Sequence, residues 1–457
     1  MNYEESVRAL LALGKELAAP QQARVQKFGL ENIAILAADL GNPHRAVACA
    51  HIAGTNGKGS TAAILESIMR AAGYRTGLYT SPHLERINER IRTNGEPVSD
   101  AAFTAAWTRV HDSIESLMAF GKLPAHPTFF ECVTATAFLI VAEQRIDFAI
   151  YEVGLGGRLD STNIVEPEVA VITSIDFDHE NFLGHSIVEI ASEKAGIIKP
   201  RVPVVSAVAR PEARAVIAKK CVDVDARLIE VDEAWDLEER PPVNGSYSVT
   251  ATSAELANPC DASFGLEIHP SLPGQFQLRN ALAAATAARI ITRNGKFQID
   301  REAMEGGIAR VKWPGRLERL SESPNVYLDG AHNPAGAREL LKFWDDNFPG
   351  TRIFLVYGAM RDKAVDEIAG VLFPRASAVI LTEPRQPRAI SAALLHELTA
   401  DLNAHISVIR DPLEALNRAI EMAGKNDAVF AAGSLYLIGD LRTSWNSRKL
   451  AVAQHRS

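Results

Sequence analysis

The stretch Ala46-Val-Ala-Cys-Ala-His51-Ile-Ala-Gly54-Thr-Asn56-Gly57-Lys58-Gly59-Ser60-Thr61 constrains the fold more than any other part of the chain. Residues 46–53 are small and apolar and read as a buried strand. Residues 61–72 are good helix formers, closed by Gly73. Strand, glycine loop and helix start form the arrangement that holds a phosphate chain. Backbone N–H groups turn inward, and the helix N-terminus adds partial positive charge. Lys58 is then the point charge for the outer phosphates, and Ser60 or Thr61 can face a metal-bound phosphate. The spacing departs from G-x-x-x-x-G-K-[ST]: two residues separate Gly54 from Gly57, and Gly59 stands between lysine and hydroxyl. The competing reading is a glycine turn with a chance lysine, but the flanking strand and helix favour a phosphate loop.

At 457 residues the chain exceeds what one core serves, so two or more domains are expected. The net charge of -8 argues against nucleic acid as a main partner, while leaving room for a local basic pocket. Cys49, Cys132, Cys221 and Cys260 are widely spaced and lack C-x-x-C pairing. They read as reduced thiols, with Cys49 and Cys132 buried. No apolar run reaches membrane-spanning length, and Met1-Asn-Tyr-Glu-Glu has no apolar signal core. A cytoplasmic location is the expectation.

Helices are expected over 4–18, 29–40, 99–120, 129–144, 186–196 and 277–293. Strands are expected over 76–80, 148–153 and 169–173, with an edge strand over 202–206. The pattern weakens to short β-like pieces across 221–270, and 293–298 reads as a linker. Beyond it, strands at 325–329, 352–358, 376–382, 405–410 and 428–432 alternate with helices near 334–347, 363–373, 390–402 and 412–424. That rhythm means parallel β–α–β units. The fold expected is α/β in two domains. Residues 1–295 form a P-loop-type, mostly parallel-sheet ATPase domain with the substrate pocket, and 296–457 form a Rossmann-like domain. Ligands in such sheets sit past the carboxyl ends of strands. The glycine loop, Gly154-Leu-Gly-Gly157 and Asp329-Gly-Ala-His332 all lie there, which points to a cleft between the domains.

Several groups could carry chemistry. Glu152 is an acid on an otherwise apolar strand, and burying it demands a partner. That partner is a Mg2+ shared with phosphates, a nearby helix end, or Arg158. Asp176, Asp178 and His179 crowd the loop after the next strand, a pattern suited to metal ligation or general base work. Lys194 and Lys199 lie near a helix C-terminus, and composition alone makes them surface residues. Asp329 and His332 could touch ribose or phosphate, and His332 or Asn333 could cap the following helix. The Lys312-Trp-Pro-Gly-Arg316 turn presents an arginine suited to bidentate phosphate contact.

Taken in order, these motifs resemble one family. Phe28-Gly-Leu-Glu-Asn-Ile33, Leu40-Gly-Asn-Pro43, the glycine loop, Thr80-Ser-Pro-His-Leu84 and Phe130-Glu131 are followed by Glu152-Val-Gly-Leu-Gly-Gly-Arg-Leu-Asp160. Asp178-His179, Leu183-Gly184, Ser192-Glu-Lys-Ala-Gly-Ile-Ile-Lys199, Trp313-Pro-Gly-Arg316, Asp329-Gly-Ala-His-Asn-Pro334 and Gly433-Ser-Leu-Tyr436 complete the series. The chain is similar to folylpolyglutamate synthases, including the bifunctional dihydrofolate synthase form, within the Mur-ligase-like group.

The resemblance implies an ATP-dependent ligase that adds L-glutamate to dihydropteroate, tetrahydrofolate or both through an acyl phosphate. It implies ATP and two Mg2+ ions as cofactors, small-molecule partners, no nucleic acid or membrane partner, and a monomer. Ser81 and Glu152 would hold one Mg2+, and His179 the second with a carbamylated Lys194, which overrules the surface reading of that lysine. Asn56, Gly57, Lys58, Gly59, Ser60, Thr61, Asn280, Arg316, Asp329 and His332 would bind ATP. Lys58, Glu152, His179, Lys194 and Arg316 would carry catalysis. Thr80, Pro82, His83, Thr128, Phe129, Phe130, Glu131, Leu159, Asp160 and Ser161 would line the substrate side. The family often has a His-Gln pair before the asparagine matching Asn280, and Phe276 stands here in place of that histidine. The rivals are another Mur-type amino-acid ligase and a P-loop ATPase without ligase chemistry.

Overall fold

The computed structural model describes residues 1–13, 29–243, 246–258 and 261–454. Phe28, Cys260 and residues 14–18 of the expected first helix lie outside them. In chain order the first sheet uses β1 (Ala48–Ala53), β2 (Thr76–Tyr79), β3 (Ile91–Thr93), β4 (Glu96–Pro97), β5 (Phe148–Glu152), β6 (Val169–Ile172), β7 (Val204–Ser206) and β8 (Leu228–Glu230). They stack as β4-β3-β2-β5-β1-β6-β7-β8, parallel from β2 to β8, with β3 and β4 as an antiparallel edge. The strand expected at the edge, β7, is internal because β8 pairs beyond it.

Both faces of this sheet are covered. Ala50, Ile52, Phe148 and Ile150 face a core shared with the helices Lys58–Ala71, Phe276–Arg293 and Arg301–Arg310. Cys49, Ala149 and Tyr151 face the helices Asp100–Ala119 and Phe129–Glu143. A strand buried on both sides has no polar face, so β1 and β5 read as near-continuous apolar runs. His51 on β1 and Glu152 at the end of β5 are the polar exceptions, and Glu152 is the charged one.

The weak 221–270 region resolves into β8 and a three-stranded antiparallel sheet of β9 (Asp236–Val243), β10 (Ser246–Ser253) and β11 (Phe264–Ile268). The second α/β unit holds β12 (Glu318–Glu322), β13 (Asn325–Leu328), β14 (Ile353–Tyr357), β15 (Ala378–Leu381), β16 (Ile406–Val408) and β17 (Ala428–Ala432). The order is β12-β13-β17-β14-β15-β16, parallel except for the β12 edge. Its strands alternate in the same way, with Ile353 and Leu355 on one face and Phe354 and Val356 on the other. Among the described residues, no helix is long and apolar enough to cross a membrane.

The helix Arg301–Arg310 was not legible in the sequence, because Gly306 and Gly307 are poor helix formers. Tertiary packing holds it instead. Gly307 lies on the backbone of the helix Lys58–Ala71, where an added Cβ would stand 2.5 Å from Ile68 Cα. Ser67 Oγ donates to Gly307 O at 2.7 Å. Phe297, Ile299, Met304 and Val311 share the first core. Residues 296–311 thus pack with the first unit, and we propose the division at 312–317 instead of 295/296. Trp313, just past this helix, lies on the first helical turn after the glycine loop: a Cβ on Gly59 would come 3.1 Å from its Nε1. Gly307→Ala should destabilise the first unit by about 1–3 kcal/mol through overpacking. An earlier denaturant midpoint would register it, and an unchanged midpoint would show that the two helices separate freely.

Candidate active site

The strand β1 lies between β5 and β6, so the loops after these three strands meet, and the segment after β2 joins them. Gly57 turns the glycine loop into its helix with φ +85°, and a Cβ there would stand 2.4 Å from Asn280 Oδ1. The helix Phe276–Arg293 therefore presses its first turns against the loop. Thr61 Oγ1 donates to Asn280 Oδ1 at 3.4 Å, and Asn280 Nδ2 donates to Gln277 Oε1 at 2.9 Å. Gln277 Nε2 reaches Ser60 Oγ at 3.4 Å. Gln277 is a polar contact that the sequence reading left unassigned. Phe276, the departure from the family pattern, packs against the core of the second unit.

Two lysines converge on one carbonyl. Lys58 Nζ donates to Gly54 O and Thr55 O, both at 3.0 Å. Lys194 Nζ donates to the same Gly54 O at 2.8 Å. Lys194 is 4% exposed, so the surface reading from composition is corrected. Lys199 is partly buried too, donating to Asn163 O at 2.8 Å. Burial, reinforced by the charge of Lys58, lowers the Lys194 pKa to about 7.

Glu152 is buried and accepts the Ser81 N–H at 3.1 Å. Burial raises its pKa, and Lys58, the Ser81 N–H and Arg316 pull against that. Arg158 takes no part, because it pairs with Glu193 at 2.8 Å. Past β6, Asp178 Oδ1 accepts the His179 N–H at 2.9 Å, and His179 has a left-handed backbone with φ +51°. Burial would raise the Asp178 pKa, but His332, Lys363 and His179 hold it well below the carboxylate range. Burial lowers the His179 pKa to about 4 against the pull of Asp178, so its ring is neutral near pH 7.

The second unit closes over these loops. Asn333 caps the helix Pro334–Asn347 by accepting the Gly336 N–H at 2.8 Å. It also exchanges amide hydrogen bonds with Asn56 at 2.9 and 3.1 Å and donates to Asp178 Oδ2 at 3.2 Å. Asp176 accepts from Arg338 at 3.1 Å and from Arg210 at 2.8 Å. Asp329 accepts the N–H groups of Leu317 and Ala331, both at 2.9 Å, so it braces the turn carrying Arg316 and the start of the loop carrying His332. His332 Nδ1 donates to Gly330 O at 2.7 Å, and its Nε2 stands 3.7 Å from Asp178 Oδ2. Lys363, which the sequence reading missed, donates to Asp178 Oδ1 at 2.7 Å. The signal was present: Arg361-Asp-Lys363 lies just past a strand end, as the other site segments do.

The residues expected on the substrate side divide by environment. Phe129 belongs to the core, beneath the Arg90 guanidinium at 5.4 Å. Phe130 is half-buried, and its ring lies against Gly154. Thr128 and Glu131 form a reciprocal cap: Glu131 N donates to Thr128 Oγ1 at 3.2 Å, and Thr128 N donates to Glu131 Oε2 at 2.8 Å. Asp160 is saturated by the N–H groups of Gly154, Leu155 and Thr162 at 2.9–3.0 Å, which fixes the loop beside Phe130. Ser161 contacts Thr134, and Thr134 contacts Tyr79, both at 3.0 Å. Thr80 is buried, Pro82 and Leu159 are half-buried, and His83 Nδ1 accepts from Arg90 at 2.8 Å.

Comparison with known proteins decides what this cleft belongs to. Residues 52–288 match the model of the Mur ligase middle domain, and residues 315–435 match that of the Mur ligase glutamate ligase domain. The dihydrofolate synthase/folylpolyglutamate synthase of Bacillus subtilis is 39% identical over 421 residues, covering 91% of this chain and 94% of the relative. The chain belongs to the folylpolyglutamate synthase family. The folylpolyglutamate synthase of Lacticaseibacillus casei is 31% identical across 97% of the chain and 98% of the relative. Among solved structures, the Mycobacterium tuberculosis folylpolyglutamate synthase complexed with ADP and AMPPCP superposes with a TM-score of 0.84 at 30% identity, covering 96% of this chain and 99% of that one. The Escherichia coli protein in complex with DHPP and ADP gives 0.84 at 29% identity, with 98% and 99% coverage. In this member of the family the two domain matches leave residues 289–314 between them, where the helix Arg301–Arg310 returns to the first core.

The lowered pKa of Lys194 has a stability consequence. The unfolded chain holds that proton up to about pH 10.4, whereas the folded chain releases it near 7. Between those values the unfolded state binds more protons, so stability rises with pH across this window and is insensitive to this group below it. Denaturant midpoints in CO2-depleted buffer should show that rise from pH 7 to 9, and Lys194→Met should flatten it.

Proposed function

We propose that the chain joins L-glutamate to the carboxylate of a dihydropteroate or a tetrahydrofolate at the expense of ATP. One observation carries the reading: the glycine loop, Glu152 and the Lys194 amine form one buried cluster, over which the second unit sets Arg316, Asn333 and Lys363. The relatives crystallised with ADP, AMPPCP and DHPP support a nucleotide and a pterin-type ligand in this cleft.

The reaction has two displacements. The acceptor carboxylate attacks the γ-phosphorus, giving an acyl phosphate and ADP. The uncharged amine of glutamate then attacks the acyl carbon, and inorganic phosphate leaves. No protein nucleophile is required. Lys58, now turned onto its own loop carbonyls, would turn outward to the transferring phosphoryl group, and Arg316 would approach from the second unit. Phe130 offers a ring face to the heterocycle, and the closed cleft keeps water from the acyl phosphate.

The donor set fits Mg2+. Among the described residues, no three His, Cys, Asp or Glu side chains converge on a protein-only metal site. Ser81 and the buried Glu152 carboxylate instead offer a few hard oxygens, the pattern of an ion that substrate phosphates complete. Mg2+ held there would neutralise developing phosphoryl charge. His179, neutral near pH 7, presents an imidazole for the second ion. With a pKa of about 7, Lys194 has an appreciable free-amine fraction to add CO2, which supports its carbamylation to an oxygen ligand.

The deciding experiment is phosphate release from MgATP and L-glutamate, with dihydropteroate and tetrahydrofolate supplied separately. Release with both, and glutamylated products by mass, is the bifunctional outcome. Release with one narrows the acceptor, and no acceptor-dependent release overturns the substrate assignment. Lys58→Ala should lower acceptor-dependent release on the order of 10³-fold, and near-normal activity would remove Lys58 from its role.

A further inference from the structure

The proposed chemistry leaves one buried contact unused. Lys363 Nζ and Asp178 Oδ1 stand 2.7 Å apart, on side chains 8% and 10% exposed. Exposed ion pairs contribute little, but a pair withdrawn from water this far depends on full compensation. Lys363 is presented by a braced turn. Arg361 N donates to Arg388 O at 3.0 Å, Ile390 N to Ala359 O at 3.0 Å, and Lys363 N to Met360 O at 3.2 Å.

Asp178 collects donors from both units. Its own unit supplies the His179 N–H, and the second unit supplies Lys363 and Asn333 from the ends of two different strands. Asn333 also holds Asn56 in the glycine loop. His179 keeps a left-handed backbone, uncommon outside glycine, and its Nε2 lies 3.4 Å from Lys363 Nζ. Separation of the units would strip Asp178 of two donors at once.

We propose that Lys363 is a positioning residue for the ligase reaction: by docking on Asp178 as the second unit closes, it sets the Asp178 to His179 turn and, with Asn333 and Asn56, the glycine loop. The inference rests on the ligase reading above. Lys363 acts through Asp178 and not by holding substrate.

The test uses the full chain with Lys363→Met, Lys363→Arg, Asp178→Asn and the double variant Lys363→Met/Asp178→Asn. Steady-state kinetics are paired with small-angle X-ray scattering, with and without AMPPCP and acceptor. Lys363→Met should lose about 10²-fold in kcat with the KM values for ATP and glutamate changed less than about twofold. It should also fail to compact with the analogue. Lys363→Arg should recover part of both, and the double variant should be no worse than the poorer single one. A raised glutamate KM with kcat and compaction intact would make Lys363 a substrate contact and overturn the proposal. Additive losses, or wild-type kcat in Lys363→Met, would overturn it equally. Scattering separates this from the activity assignment: if the unmodified chain released no acceptor-dependent phosphate yet compacted where Lys363→Met did not, the latch would stand and the folate reading would fall.

Discussion

Asp178 is an anion almost without water, and two units of the chain supply its compensation. That requirement ties the architecture together. The first unit places the carboxylate past β6, beside the glycine loop past β1 and Glu152 at the end of β5. The second unit must then bring donors from the ends of β13 and β14 to the same point. With the units together, Asp178 is compensated by Lys363 and Asn333, so its burial there does not leave an unpaired charge. The amide exchange between Asn56 and Asn333 adds direction, because two complementary hydrogen bonds form only at one relative orientation.

The pattern of what the sequence made legible follows from physics. Strands buried on both faces announce themselves as apolar runs, and β1, β5, β6, β13, β14 and β17 lie where those runs lie. Strand-end loops follow from parallel topology, which is why Glu152, the 173–180 segment and Asp329 stood out. The helix Arg301–Arg310 did not, because its adjacent glycines contradict local propensity and its stability comes from lying on another helix. The edge strands β3, β4 and β12 were missed because short pieces of mixed polarity lack a period. Lys363 was missed because the sequence places it at the start of the helix expected near 363–373; the helix begins at Val365, and Lys363 lies in the turn before it, beside Asp178.

The candidate site shows a second limit on sequence reasoning. A motif names a segment without saying which of its members face outward. In Thr128-Phe-Phe-Glu131 the threonine and glutamate satisfy the helix end, Phe129 enters the core, and Phe130 remains beside Gly154. Asp160 likewise spends its oxygens on three backbone N–H groups, making it a brace for the loop. Residues like these fix the local backbone: their polar atoms are committed to the helix end and the loop.

Trp313 gives the junction between the units an unusual property. It stands where the chain leaves one core for the other, and its indole rests on the first helical turn beyond the glycine loop. The junction between the units and the helix start after the glycine loop are therefore in direct contact. Most connections between domains tolerate added length, because loop closure costs grow slowly with residue number. This one has no such slack: an inserted residue between Val311 and Arg316 would shift the indole off the helix start at Gly59 as well as lengthen the reach. The seven-residue span 311–317 therefore couples the reach of the second unit to the seating of the glycine loop.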